Sequence, residues 1–122
     1  PAGSTFDGAY PGKALSEVAP NGLTYLMNYA FGGTSTNAAV LPVQDTSDPT
    51  KLTLIAVVRT DDSSLTVAGE ATTGLAGAWS TAGVTMTNST NQTALPANTA
   101  RKVVSVTRGA DERKFLRIRA TK

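Results

Sequence analysis

The sequence predicts an all-β fold: an antiparallel two-sheet β-sandwich with one short N-terminal helix. Three observations predict it. After Gly33 the apolar residues mostly recur with period two, the spacing of half-buried strands. These runs are short and are separated, at regular intervals, by clusters of Gly, Asn, Asp, Ser and Thr, the pattern of sequential strands joined by turns. Only one stretch, ahead of Gly33, carries a helical period. The 122 residues are one domain's length, enough to bury a core without staples.

Residues 1–20 hold three prolines and three glycines and read as a linker or a loosely wrapped N-terminal arm, which Phe6 and Tyr10 could pin to the surface of a domain spanning 21–122. Asn21 is placed as the N-cap of a helix over Gly22 to Phe31, because its side chain can accept from an orphan backbone N–H. Gly32-Gly33 closes that helix, since glycine tolerates the left-handed cap. Leu23, Leu26, Met27, Ala30 and Phe31 fall on one face, and Tyr25 and Tyr29 on the other, one turn apart.

Strands follow at Ala39–Val43, Lys51–Arg59, Ser64–Thr72, Gly83–Thr87, Lys102–Thr107 and Lys114–Ala120. In the strongest, Leu52, Leu54, Ala56 and Val58 point one way and Ile55 and Val57 the other. The polar turn Thr60-Asp61-Asp62-Ser63 makes 51–72 read as a hairpin. Thr73–Trp79 reads as a connection with one helical turn, and Asn88–Thr99 as a long polar loop. Arg108-Gly109-Ala110-Asp111 turns between the last two strands.

Composition narrows the chemistry. Histidine and cysteine are both absent, which removes Ser–His–Asp and Cys–His catalysis, disulfides, and metal frameworks built on Cys or His. No glycine-rich loop with a following Lys-Ser or Lys-Thr offers a phosphate cradle. Asp45, Asp48, Asp61, Asp62 and Glu70 are the available carboxylates for glycoside hydrolysis, but most sit in turn-like sequence where acids are ordinary. The chain is therefore expected not to be an enzyme. No cofactor is expected; a structural calcium would need oxygen clusters such as Gln44–Asp48 or Asp61-Asp62, neither of which has calcium-loop spacing, and turn chemistry is the alternative.

Charged residues make up only 16% of the chain, which is low for a cytosolic domain and leans toward a secreted, extracellular β-protein. No run approaches the ~20 apolar residues that cross a bilayer, so no membrane partner is expected. No secretory leader is visible, and Pro1 as first residue suggests a piece of a longer protein. Eight of the eleven Lys and Arg residues lie in the last 22 positions. They allow an anionic partner, but no aromatic platform for bases accompanies them, so a solvated sheet face interleaved with Asp111 and Glu112 is expected and nucleic acid is not.

Binding remains. Tyr and Trp join an apolar ring to a polar tip, which suits stacking on the C–H face of a sugar ring. Tyr25 and Tyr29 form either a stacking platform or packing against the sheet or arm. Trp79, just before a strand, is either a main stacking residue or a plug for one end of the sandwich. Tyr10 is a further aromatic candidate. Asn88, Asn91 and Gln92 on the long loop offer amides at one rim.

Three stretches resemble a known group. Asn21 to Gly33 (NGLTYLMNYAFGG), Leu75 to Thr85 (LAGAWSTAGVT) and Arg113 to Arg119 (RKFLRIR) are similar to segments of C-terminal β-sandwich modules in secreted bacterial proteins, notably of Verrucomicrobia. Within that group the chain resembles carbohydrate-binding module family 81. The resemblance implies a two-sheet sandwich with a flat site for β-1,4-linked and mixed-linkage β-glucans, including cello-oligosaccharides and xyloglucan, attached to an endoglucanase. The sugar-binding candidates are then Trp79, Tyr25, Tyr29, Tyr10, Asn88 and Gln92 in a monomeric module. A structural or sorting module of a secreted surface protein is the alternative. If Trp79 and Tyr29 belong to the shared scaffold stretches, packing gains weight for both.

Overall fold

A computed structural model describes residues 4–74, 77–109 and 113–122. Its elements run α1 (Ser4–Ala9), α2 (Tyr25–Ala30), β1 (Val43–Gln44), β2 (Lys51–Arg59), β3 (Thr66–Thr72), β4 (Val84–Asn88), β5 (Thr99–Thr107) and β6 (Phe115–Thr121). The fold is all-β, with two antiparallel sheets and a short helical N-terminal part. One sheet has four strands in the order β1-β2-β5-β4, the other has two, β3-β6.

The alternation in β2 does what period two requires. Ala56 and Val58 meet Val104, Ile118 and Phe31 in a core between the sheets, with Leu54, Met86, Val84 and Leu116 at its margin. The two sheets approach closely at Gly69 of β3, where a Cβ would overlap methyl groups of Val104 and Val84. The two-stranded sheet is narrower than the four-stranded one. Helix α2, whose Met27 and Phe31 join the same core, covers part of the remainder.

Strand pairing differs from the expected hairpins. β2 pairs along its whole length with β5, from Lys51↔Thr107 to Arg59↔Thr99, and β3 pairs with β6, from Thr66↔Thr121 to Thr72↔Phe115. Residues 51–72 are thus not a hairpin, because the Asp62 turn carries the chain from one sheet to the other. The crossing lets both sheets feed one core, Ala56 and Val58 from β2 and Ile118 from β6. β5 and β6 are likewise in different sheets, and Ala110, Asp111 and Glu112 lie outside the described residues. So do Leu75 and Ala76 of the connection before Trp79.

The helix is shorter than predicted and differently capped. Thr24, not Asn21, is the N-cap; its Oγ1 accepts from Met27 N at 3.2 Å. Gly32 closes it in the left-handed region at φ +81°. Helix α2 also buries two sides instead of one. Its second side meets the N-terminal arm, which is packed and not loose: α1 brings Phe6, Ala9 and Tyr10 into a second cluster around Tyr29. The arm is held by Ser35 N donating to Ala9 O and Leu26 N to Leu15 O.

Candidate functional site

The arm, α2 and the loop after it enclose an open groove of about 640 Å³. Tyr10 and Tyr25 line it together, rings edge to face with centroids 5.0 Å apart. Tyr10 is buried, which pushes its phenol pKa up despite the nearby Arg59 cation, so the hydroxyl stays neutral. Gly33 has no Cβ because one would strike that hydroxyl and the Asn28 carbonyl. Tyr25 is half-buried, with the Lys13 ammonium 5.5 Å from its ring centre.

Amides line the same groove. Asn21 Nδ2 donates to Asn28 Oδ1 at 2.6 Å, and Asn28 Nδ2 returns a bond to Asn21 Oδ1 at 3.1 Å. Asn28 also donates to Thr24 O at 3.0 Å, and Asn21 Oδ1 accepts from Leu23 N at 3.1 Å. The exposed Asn21 amide is therefore held in a fixed direction at the groove edge, beside Asn37. Sequence reasoning spent Asn21 on a cap and missed Asn28. Asn21 precedes the helix and Asn28 lies in it, so helical spacing gave no signal for the pair.

Trp79 lines a separate opening of about 320 Å³, with Gln44, Leu54, Lys114 and Phe115 among its neighbours. The Arg117 guanidinium lies 4.1 Å from the indole centre. Arg117 is itself held by Glu70 Oε1, at 3.0 Å from Nε and 2.9 Å from an Nη. The ring is partly exposed and braced from one side, so it is not a plug inside the core. Sequence reasoning weighed Glu70 as a carboxylate and Arg117 as part of a basic strand but missed their pairing; they face each other across the β3–β6 register.

The other candidates are used elsewhere. Tyr29 is 0% exposed, with Phe6 edge-on at 5.3 Å and the Arg59 guanidinium 4.2 Å from its ring centre. It is core, not a platform, because the arm covers the side expected to be free. Gln92 works as backbone: its Oε1 accepts from Arg101 N and its Nε2 donates to Arg101 O and Ser89 O. Asn88 accepts from Lys102 Nζ at 2.5 Å. Neither lines the tyrosine groove or the tryptophan groove.

Many of the late basic residues have internal partners. Arg117 and Arg119 share Glu70, Lys122 pairs with Asp62, and Arg101 donates to Asn91 O and Thr93 O. The acids once considered for a metal serve turns. Asp45 accepts from Ser47 N and Asp48 from Thr50 N and Oγ1, bonds that hold both carboxyls below their usual pKa. Asp61 pairs with Arg59. Among the described residues no three acidic side chains gather as a metal site, and no helix is long and apolar enough to cross a membrane. Comparison with protein-family models, with curated proteins and with solved structures returns no match.

Proposed function

We propose that the chain is a non-catalytic carbohydrate-binding module that takes β-1,4-linked and mixed-linkage β-glucans, including cello-oligosaccharides and xyloglucan. In this reading it is secreted, monomeric, and holds an attached endoglucanase near its polymer by raising the local concentration. The observation that carries the reading is the groove under Tyr10 and Tyr25. An aromatic wall supplies the surface on which a pyranose C–H face stacks. Fixed amides at its edge supply the few oriented polar groups that hydroxyls need. Only Lys13 is charged among the groove's lining residues, which favours a neutral ligand over an ionic one. The resemblance of three segments to carbohydrate-binding module family 81 supports the same class. Trp79 serves as a second stacking ring, while Tyr29, Asn88 and Gln92 leave the list of sugar contacts.

Calorimetric titration with cellopentaose tests the proposal. Heat that disappears in Tyr25→Ala, with the fold retained, is the expected result. Absence of heat with cellopentaose, xyloglucan and mixed-linkage glucan alike would sink it.

One observation favours a second reading, a structural module that docks on a neighbouring domain. Val40, Leu41 and Val43 are 40%, 48% and 64% exposed in one short segment, an apolar patch beside an edge strand. Charged substitutions of Val40 and Val43 that release the parent protein from cells, without touching glucan binding, would support docking instead.

A further inference from the structure

The tyrosine and tryptophan grooves each share lining residues with one further opening. A third opening, of about 370 Å³, lies between α2 and the uncovered side of the sandwich. It shares Asn21 and Leu41 with the tyrosine groove and Leu54 with the tryptophan groove. Its remaining wall is apolar, with Leu23, Met27, Pro42 and Ile118. The cause lies in the fold: the two-stranded sheet is too narrow to cover the side of β2 toward β1, and α2 covers only part of it.

We propose that this seam is one extended site for a single glucan chain, with Tyr25 at one end and Trp79 at the other. The inference rests on the carbohydrate reading and adds to it the length of the ligand. Three features argue for an extended neutral polysaccharide. Aromatic rings stand at both ends of the seam, and Arg117 and Glu70 brace the far one. The middle is apolar, which suits pyranose C–H faces, and amides of Asn21 and Gln44 stand along it for hydroxyls. Among the described residues, Lys13 and Lys114 are the charged side chains lining the three openings. A short oligosaccharide fills the tyrosine station alone. A long chain reaches both, and the second contact then acts as an intramolecular event that raises affinity.

The chain contains one tryptophan, so its fluorescence reports the far station alone. The test is a titration of the whole chain with cellobiose, cellohexaose and mixed-linkage β-glucan, followed at once by calorimetry and by indole emission. The expected result is heat from all three, an emission shift only with the long ligands, and an affinity gain on the order of tenfold or more from short to long. Trp79→Ala should remove the length gain, so that the long ligands bind no more tightly than cellobiose does. Trp79→Phe should keep part of the gain, which separates stacking from a folding defect. Binding with no indole shift at saturation by the longest chain overturns the inference and leaves the carbohydrate reading standing. An indole shift with cellobiose also overturns it, because the stations are then not ordered as stated. No heat from any glucan overturns both, and binding of an apolar extended peptide in its place would assign the seam to another partner class.

Discussion

Tyr25 and Tyr29 sit one turn apart on the same six-residue helix, yet they stand in opposite physical situations. Tyr29 is closed in on every side: Phe6 meets its ring edge, Arg59 lies over its face, and its hydroxyl donates to Asp62 Oδ2 at 2.5 Å. Asp62 in turn accepts from Lys122 Nζ at 2.7 Å and from Ser64 N at 2.9 Å, and Lys122 also reaches Ser64 Oγ. This corner ties α2, the turn after β2 and the end of β6 together. Tyr25 packs at the margin of the same cluster, with Tyr10 edge to face and the Lys13 ammonium over its ring, and keeps part of that ring in an open groove. A satisfied aromatic in a polar network is a structural joint. A half-covered aromatic beside oriented amides is a surface with capacity left for a ligand. The difference comes from the arm, which encloses Tyr29 and covers Tyr25 only in part.

The strongest way to break this contrast is Tyr29→Ala. It empties a fully buried aromatic site and strips Asp62 of a donor, so a loss of about 3–5 kcal/mol is expected in urea unfolding. A loss under about 1 kcal/mol would mean that the corner is not the joint described. Lys122→Met comes next. Its side chain is 6% exposed and that of Asp62 3%, so removing the ammonium leaves a buried carboxylate short of its cation, at a cost of about 3 kcal/mol. An exposed ion pair would lose far less, and that result would place Lys122 in solvent.

Acid should reveal the same corner. Burial pushes the Asp62 carboxyl upward, but bonds from Lys122, Ser64 and Tyr29 outweigh it and hold the pKa far below its ordinary 3.8. A depressed folded-state pKa contributes stability that is fully present above the unfolded value and is lost as pH falls below it toward the folded one. Unfolding free energy is therefore expected to be flat near neutrality and to fall below pH 3.8. Asp62→Asn should flatten that fall. Asp45 and Asp48 titrate alike in both proteins, so the difference between the two profiles isolates Asp62. Parallel profiles would show that its carboxylate carries no special stabilisation.

Legibility in the sequence followed the range of the interaction. The strands of KLTLIAVVR and RKFLRIR were visible because period two is local. Their partners were not: a turn at 60–63 looks the same whether it closes a hairpin or crosses between sheets, and β2 takes its partner β5 from far along the chain. Tyr10 and Tyr25 stood out separately as aromatics, but their edge-to-face contact was not legible, because it joins the arm to the helix. Tyr29 was not legible as core. A helical wheel assumes one buried face, and nothing local says that Phe6 returns to cover the other. The Asp62–Lys122 pair spans 60 positions and leaves no periodic trace. Gln92 misled for a related reason: an amide in a polar loop looks free until it is found standing in for a strand against Arg101.

The smallest expected stability effect sharpens the contrast most. Tyr25→Ala gives up one edge-to-face contact and a weak cation contact, about 1 kcal/mol in total, because the ring is already half in water. Its effect on glucan binding should be large, since the groove loses its stacking wall while the Asn21–Asn28 amides stay where they are. Tyr29→Ala should show the reverse balance: a heavy loss of stability, with glucan affinity per folded molecule changed far less than by Tyr25→Ala. Chemical denaturation and calorimetry on the two variants read both quantities. If Tyr25→Ala costs as much stability as Tyr29→Ala, the two rings belong to one packed block. The groove would then be a seam in the core, and the division of labour along α2 would fail.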